Sequence, residues 1–334
     1  MPAKVLKDEQ IVTVDGSSGK VYEGSVARKG EDEYAQDENL KTKTKVYVNL
    51  AQPSLVEVVS KRNFDGVGLL RAEFIIGNIG QHPRYMIEEG RSEEFIRELA
   101  EGLTVFASSF SPRPVVYRTT DFKTNEYRNL KGGEKFEDIE ENHMHGFRGC
   151  SRYVRDVDVF KLEIEAIKRV RQDYKNLWVM IPFVRTMEEM AGAKRIMESE
   201  DLARSPEFKL WMMLEVPSNV ILMDKFIDVG IDGISIGSND LTQLILGVDR
   251  DNPKLAEEFD ERNEAVLTAL ETVIKTAVRR GITCSICGQA PSDYPDLTAK
   301  LVEWGITSIS ISPDALGRTK RSIYEVEKKL GISS

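Results

Sequence analysis

A chain of 334 residues, 41 % of them apolar, is long enough for one large domain or two ordinary ones and can bury a sizeable core. Its net charge of −9 argues against a nucleic-acid protein, whose footprint is basic, while leaving room for a local basic pocket. No run of about 18 apolar residues marks a membrane span, MPAKVLKDEQ lacks the apolar core of a signal peptide, and three cysteines are no disulfide framework. The chain is therefore expected to be soluble and cytoplasmic.

In chain order, residues 8–28 hold two β-rich runs around GSSG, the pattern of a hairpin. Residues 29–44, KGEDEYAQDENLKTKT, are charged and poor in apolar residues, as expected of a linker. A repeating grammar of short strands and helical stretches follows. The strands fall at 45–50, 66–71, 115–118, 178–183, 210–216, 233–237, 282–288 and 306–312. Most are continuously apolar, which fits parallel strands buried on both faces. Between them, residues 162–174 and 263–280 carry apolar residues at helical spacing. The last helix opens on Ser312, Pro313 and Asp314, with Ser312 suited to the N-cap.

Eight strand–helix units predict an α/β chain folded as a (β/α)8 TIM barrel over 45–334, behind an N-terminal β-rich arm. A doubly wound open sheet has the same pattern and is the alternative. Residues 119–150, Gly-rich and charged, form an insertion directly after the third strand, where long loops are commonly functional.

A barrel places its chemistry at the carboxyl ends of its strands. There the sequence puts Arg71, Arg118, Glu215 within LWMMLEVP, Asn239 with Asp240, and Cys287. Two arginines can grip a carboxylate and a phosphate through forked hydrogen bonds. Glu215 and Asp240 are hard oxygen ligands, and two carboxylates with substrate and water oxygens suit Mg²⁺. Each residue also has a plainer reading. Arg71 could pair locally with Glu73, Asp240 could cap the helix that follows it, and Cys287 could be an inert buried thiol. The spacing Cys284-Ser-Ile-Cys287 resembles a redox or zinc motif, but no second pair completes four ligands. Residues three apart on a strand also face opposite ways. His143 and His145 have only His82 as a further histidine, so both motifs read as structural.

The strings GVGLLRAEF, NEYRNLKGGE, HGFRGCSRYV, MIPFVRT, EVPSN, GSNDLTQLILGVDRDN and ICGQAPSD resemble the phosphoenolpyruvate-binding barrel of the phosphoenolpyruvate synthase family. The resemblance runs from about residue 45 to the end. Related barrels, in pyruvate phosphate dikinase and in enzyme I of the sugar phosphotransferase system, more usually carry Thr where Ser238 stands and Glu where Gln289 stands.

The resemblance implies that Arg71 and Arg118 bind substrate and that Glu215 and Asp240 hold Mg²⁺. Gly237, Ser238, Asn239 and Asp240 would line the substrate, Arg148 and Arg250 would be further anion contacts, and Cys287 would move the proton at the methylene carbon. The implied ligands are phosphoenolpyruvate and pyruvate, in a phosphotransferase of the pyruvate, water dikinase type that forms homo-oligomers. Its phosphoryl carrier is a histidine in a TSHAA-like motif, which does not occur here. Residues 1–28 are therefore expected to be the tail of a swivelling phosphohistidine domain, with that domain and the ATP-binding domain missing from the chain. The rivals are a module that binds and assembles without turnover, and a different Mg²⁺-enolate barrel such as a lyase.

Overall fold

A computed structural model of the chain describes residues 10–15, 20–25 and 34–332. The chain divides between Gln36 and Asp37 into two compact units. In the first, β1 (Val12–Asp15) and β2 (Lys20–Glu23) run antiparallel, with Val12 opposite Glu23 and Val14 opposite Val21. This is the expected hairpin; its GSSG turn lies outside the described residues.

The second unit begins inside the stretch expected to be linker. From Asp37 onward that stretch is tied down: Arg321 grips the Asp37 carboxylate at 2.7 and 2.9 Å. The amides of Lys43 and Thr44 donate to Glu327 at 2.8 and 2.7 Å. The chain then enters β3 (Lys45–Leu50), followed by β4 (Gly66–Arg71), β5 (Val115–Arg118), β6 (Leu177–Ile181), β7 (Leu210–Leu214), β8 (Gly233–Ile236), β9 (Thr283–Ile286) and β10 (Ser308–Ile311). These pair in the order β10-β3-β4-β5-β6-β7-β8-β9 into a closed barrel, and every neighbouring pair is parallel. Closure excludes the open doubly wound sheet. The last five strands end one or two residues earlier than the apolar runs suggested, and Glu215, Gly237 and Cys287, just past three of them, border a cavity.

Period-two alternation divides the core. Val46, Val48 and Leu50 of β3 face the large apolar layer between barrel and helices. Tyr47 instead joins Leu69, Val116, Met180, Trp211 and Met213 in a separate cluster inside the barrel. The interior is full: a Cβ at Gly68 would come within 2.5 Å of Ser310 Oγ and 2.9 Å of Tyr47 Cβ.

Outside, helix Ser92–Phe110 buries Phe95, Leu99, Leu103, Phe106 and Phe110 at spacings of three and four. Each is worth about 1.5–3 kcal/mol by burial. Helix Glu264–Arg280 is bounded as its sequence dictates. The Asn263 side chain accepts the Ala265 amide at 2.9 Å, and Gly281 ends the helix at φ +66°. Ser312 stands in the N-cap position with extended backbone, but its side chain makes no cap bond, and a 3-10 turn Pro313–Ala315 precedes helix Leu316–Lys329. Among the described residues no helix is long and apolar enough to cross a membrane.

Candidate active site

The carboxyl ends of the strands surround a cavity of about 250 Å³, room for a small organic ligand with an ion and waters. It is lined by Arg71, Arg118, Arg148, Glu215, Gly237, Asn239, Asp240, Arg250 and Cys287. Nine of the ten residues singled out in the sequence therefore meet at one place. The tenth, Ser238, stands behind the wall: it is buried, and its hydroxyl bonds to Glu261.

Helix Ser238–Leu246 has Gly237 at its N-cap, with no side-chain cap bond. Asp240 therefore does not cap it; its Oδ2 lies 3.2 Å from Arg148. Gly237 is required because a Cβ there would fall 2.7 Å from Glu215 Oε2. The amino end of the helix borders the cavity, where its free amides favour an anion.

Opposite charges alternate around the rim. Arg118, the last residue of β5, lies 2.5 Å from Glu73 and 3.4 Å from Asp121. Asp121 takes a forked pair from Arg148 at 3.1 and 2.6 Å. Burial alone would raise the Asp121 pKa, but Arg148 and Arg118 outweigh it and hold the carboxyl below its usual range. Burial likewise works against Arg118, and Glu73, Asp121 and Glu215 overcome it, raising its pKa. Arg71, the last residue of β4, opens into the cavity. The surrounding walls and then Arg118 lower its pKa, so a bound anion would stabilise it. Glu73 pairs with Arg118, not Arg71, so the local ion pair considered from sequence does not form.

Glu215, just past β7, is buried. Burial first, then Asp240 and Asp121, push its pKa up to about 8. Its Oε1 accepts the Phe183 amide at 2.6 Å. Phe183 has φ +45°, rare for a residue with a side chain, and such strain clusters at functional sites. Here it aims an amide at Glu215, while the ring lies 4.0 Å beneath the Arg148 guanidinium. Two acidic groups that repel each other in one pocket suit a hard divalent cation. Among the described residues no group of three or more His, Cys, Asp or Glu is arranged to hold a metal. A cation here would rest on Glu215, Asp240 and oxygens from ligand or water.

Cys287, just past β9, lies in the interior cluster beside the cavity. Its thiol faces the Ile236 carbonyl at 3.6 Å, and burial foremost pushes its pKa up to about 11. Cys284 faces the outer core instead, as strand alternation requires, so the two sulfurs form no pair. His82 is buried against Glu137 at 3.0 Å, and His145 contacts Asn142; neither belongs to a metal cluster among the described residues.

Sequence reasoning missed Asp121, Phe183 and Glu261 and misassigned Glu73. Carboxylates two or three residues beyond strand-ending arginines were the available signal for Glu73 and Asp121. A further carboxylate, Glu163, holds the outer side of β5. It accepts the Tyr117 hydroxyl, the Thr120 amide at 2.9 Å and the Thr120 hydroxyl at 3.0 Å, pinning the segment after Arg118. Burial nevertheless pushes Glu163 up to about 7 from 4.5. A raised acid favours the protonated folded state, so its stabilisation is full below pH 4.5 and lost as pH rises through about 7. The amount is roughly 3 kcal/mol. Glu163→Gln, which cannot ionise, should flatten that part of the stability curve in urea unfolding measured from pH 4.5 to 7. A variant that keeps the wild-type slope would remove Glu163 as its source.

The family model for the phosphoenolpyruvate-binding domain of PEP-utilising enzymes matches residues 27–328. The chain belongs to that family. It is similar to the phosphoenolpyruvate synthase of Aeropyrum pernix, 49% identical over 98% of this chain and 42% of that protein. It is also similar to those of Pyrococcus furiosus, 43% identical over 98% and 41%, and Helicobacter pylori, 40% identical over 95% and 42%. The chain thus spans about two-fifths of the length of these relatives.

Proposed function

We propose that this barrel binds phosphoenolpyruvate and pyruvate with Mg²⁺ and serves as the catalytic domain of a phosphoenolpyruvate synthase. In the whole enzyme, ATP, pyruvate and water would give AMP, phosphoenolpyruvate and phosphate. The observation that carries this reading is the meeting of Arg71, Arg118, Glu215, Asp240 and Cys287 on one small cavity in a chain of the PEP-utilising family.

Arg71 and Arg118 hold the ligand's carboxylate and phosphate, a role that suits planar, always-charged forks. Glu215 and Asp240 would hold Mg²⁺, which when bound would supply positive charge to the substrate's oxygens as they gain electron density. Cys287 holds its proton at neutral pH, because its pKa is pushed up to about 11. It can therefore protonate the methylene carbon as phosphoenolpyruvate becomes pyruvate. The enol electron pair forms the new C–H bond, and the phosphoryl group leaves to a histidine carried by another domain. In the synthetic direction the deprotonated thiolate, a minor form at neutral pH, takes a methyl proton and becomes the thiol, the C–H electron pair goes to the enolate, and the enolate oxygen accepts the phosphoryl group. Proton transfer of this kind contributes about 10²–10⁴ in rate.

The test is titration calorimetry with phosphoenolpyruvate, with and without Mg²⁺. The wild-type chain should bind more tightly with the metal. Asp240→Asn, which removes one of the two ligand charges, should lose most of that dependence. Unchanged affinity and unchanged metal dependence in the variant would sink the assignment of Asp240.

A further inference from the structure

We infer that Glu261 is a positioning residue that orients the Asn239 amide and, through it, aims the Arg250 guanidinium at the cavity. The inference rests on the phosphoenolpyruvate-binding reading for its ligand, but its structural part stands alone. Glu261 lies in the connection between helix Ser238–Leu246 and helix Glu264–Arg280. It does not line the cavity, yet it is only 6% exposed. A carboxylate so buried needs partners. Glu261 Oε1 accepts the Ser238 hydroxyl. With the Asn239 amide turned to satisfy both neighbours, its nitrogen donates to Glu261 at 3.3 Å and its oxygen accepts from Arg250 at 3.2 Å.

The orientation follows from donor and acceptor chemistry. An ionised carboxylate only accepts hydrogen bonds, and a guanidinium only donates them. Asn239, between the two, has one arrangement that serves both: nitrogen toward Glu261, oxygen toward Arg250. Burial raises the Glu261 pKa, while the Ser238 hydroxyl, the Ala290 amide and the Arg250 charge oppose that rise. The fit is close. A Cβ at Gly288 would fall 1.7 Å from Ser238 Oγ and 3.1 Å from Glu261 Oε1, so the second residue past β9 must be glycine for Glu261 to reach the helix start. Arg250 has little else to aim its side chain. Its ion pair is a 3.8 Å approach to the exposed Asp251, a kind of contact worth little.

Glutamine at 261 keeps the shape and removes the constraint. Its own amide can offer nitrogen to the Asn239 oxygen, which turns the Asn239 nitrogen toward Arg250 and sets donor against donor. Glu261→Gln should therefore melt close to wild type but bind phosphoenolpyruvate about fivefold more weakly, as measured by calorimetry with Mg²⁺. Arg250→Ala should weaken binding about tenfold. The double variant should be no weaker than Arg250→Ala alone, because residues in one network do not contribute independently. Wild-type affinity in Glu261→Gln, or losses that multiply in the double variant, would overturn the inference. A readout without ligand separates it from the binding reading. Trypsin should cut after Arg250 faster in Glu261→Gln, while cutting after Lys254 in the same loop stays unchanged. If the wild-type chain bound no phosphoenolpyruvate, the binding reading would fall and this cleavage would still decide Glu261. Equal rates at Arg250 in variant and wild type, or equal acceleration at both sites, would show that Glu261 only anchors the loop.

Discussion

Replacing Arg118 with alanine is expected to abolish measurable phosphoenolpyruvate binding and to lower the melting temperature, two effects with one cause. Arg118 stands between Glu73 and Asp121, and its Nε is buried without a hydrogen-bond partner among the described residues. Removing it takes away a charge proposed to hold the ligand. It also leaves carboxylates facing a pocket with one cation fewer, and breaking a buried pair costs about 3–5 kcal/mol. Lysine separates the two effects. Arg118→Lys keeps the charge, so much of the stability should return. The planar fork is lost, however, and a charge-assisted hydrogen bond is worth about 1.5–3 kcal/mol, so affinity should still fall roughly tenfold or more. Calorimetry and thermal unfolding on the same two variants check both. Wild-type affinity in Arg118→Lys would make Arg118 a distant electrostatic contributor and end the direct clamp.

The barrel was legible because its physics is local. Continuous apolar runs such as LWMML mark strands buried on both faces, and polar residues at their ends mark the side where loops build sites. Arg71, Arg118, Glu215, Asp240 and Cys287 could be picked out before any coordinates, since charge and thiol at the close of an apolar run are conspicuous. What escaped depends on the third dimension. Parallel register puts Arg71 beside Arg118, so Glu73, two residues on, reaches the neighbouring strand's arginine. Sequence adjacency suggested the wrong partner. Phe183 gave no signal because its contribution is a backbone dihedral. Ser238 and Asp240 both look like helix caps in a string of letters. The structure gives that position to Gly237 and turns one side chain to Glu261 and the other to Arg148. Glu261 lies 21 residues beyond Asp240 in an irregular segment, where no periodicity announces a buried carboxylate.

Cys287→Ser should leave the fold and ligand affinity nearly intact while stopping proton transfer at carbon, with a loss of about 10²-fold or more in exchange. The two side chains are close in size, and the site is packed by Met213 and Leu69 at the foot of the cavity. Thermal unfolding and phosphoenolpyruvate titration should therefore be little changed. The chemistry differs sharply. Burial has pushed the thiol up to about 11, high enough to stay protonated at neutral pH and still within reach of an enolate carbon as an acid; a serine hydroxyl is far less acidic. Exchange of pyruvate methyl protons, followed by NMR in heavy water with Mg²⁺ and the phosphohistidine-bearing domain supplied, reads that step alone. Cys284→Ser is the control, because Cys284 faces the outer core and its loss cannot reach the ligand. Wild-type exchange in Cys287→Ser would mean that another group moves the proton. Cys287 would then be a packed thiol beside the reaction.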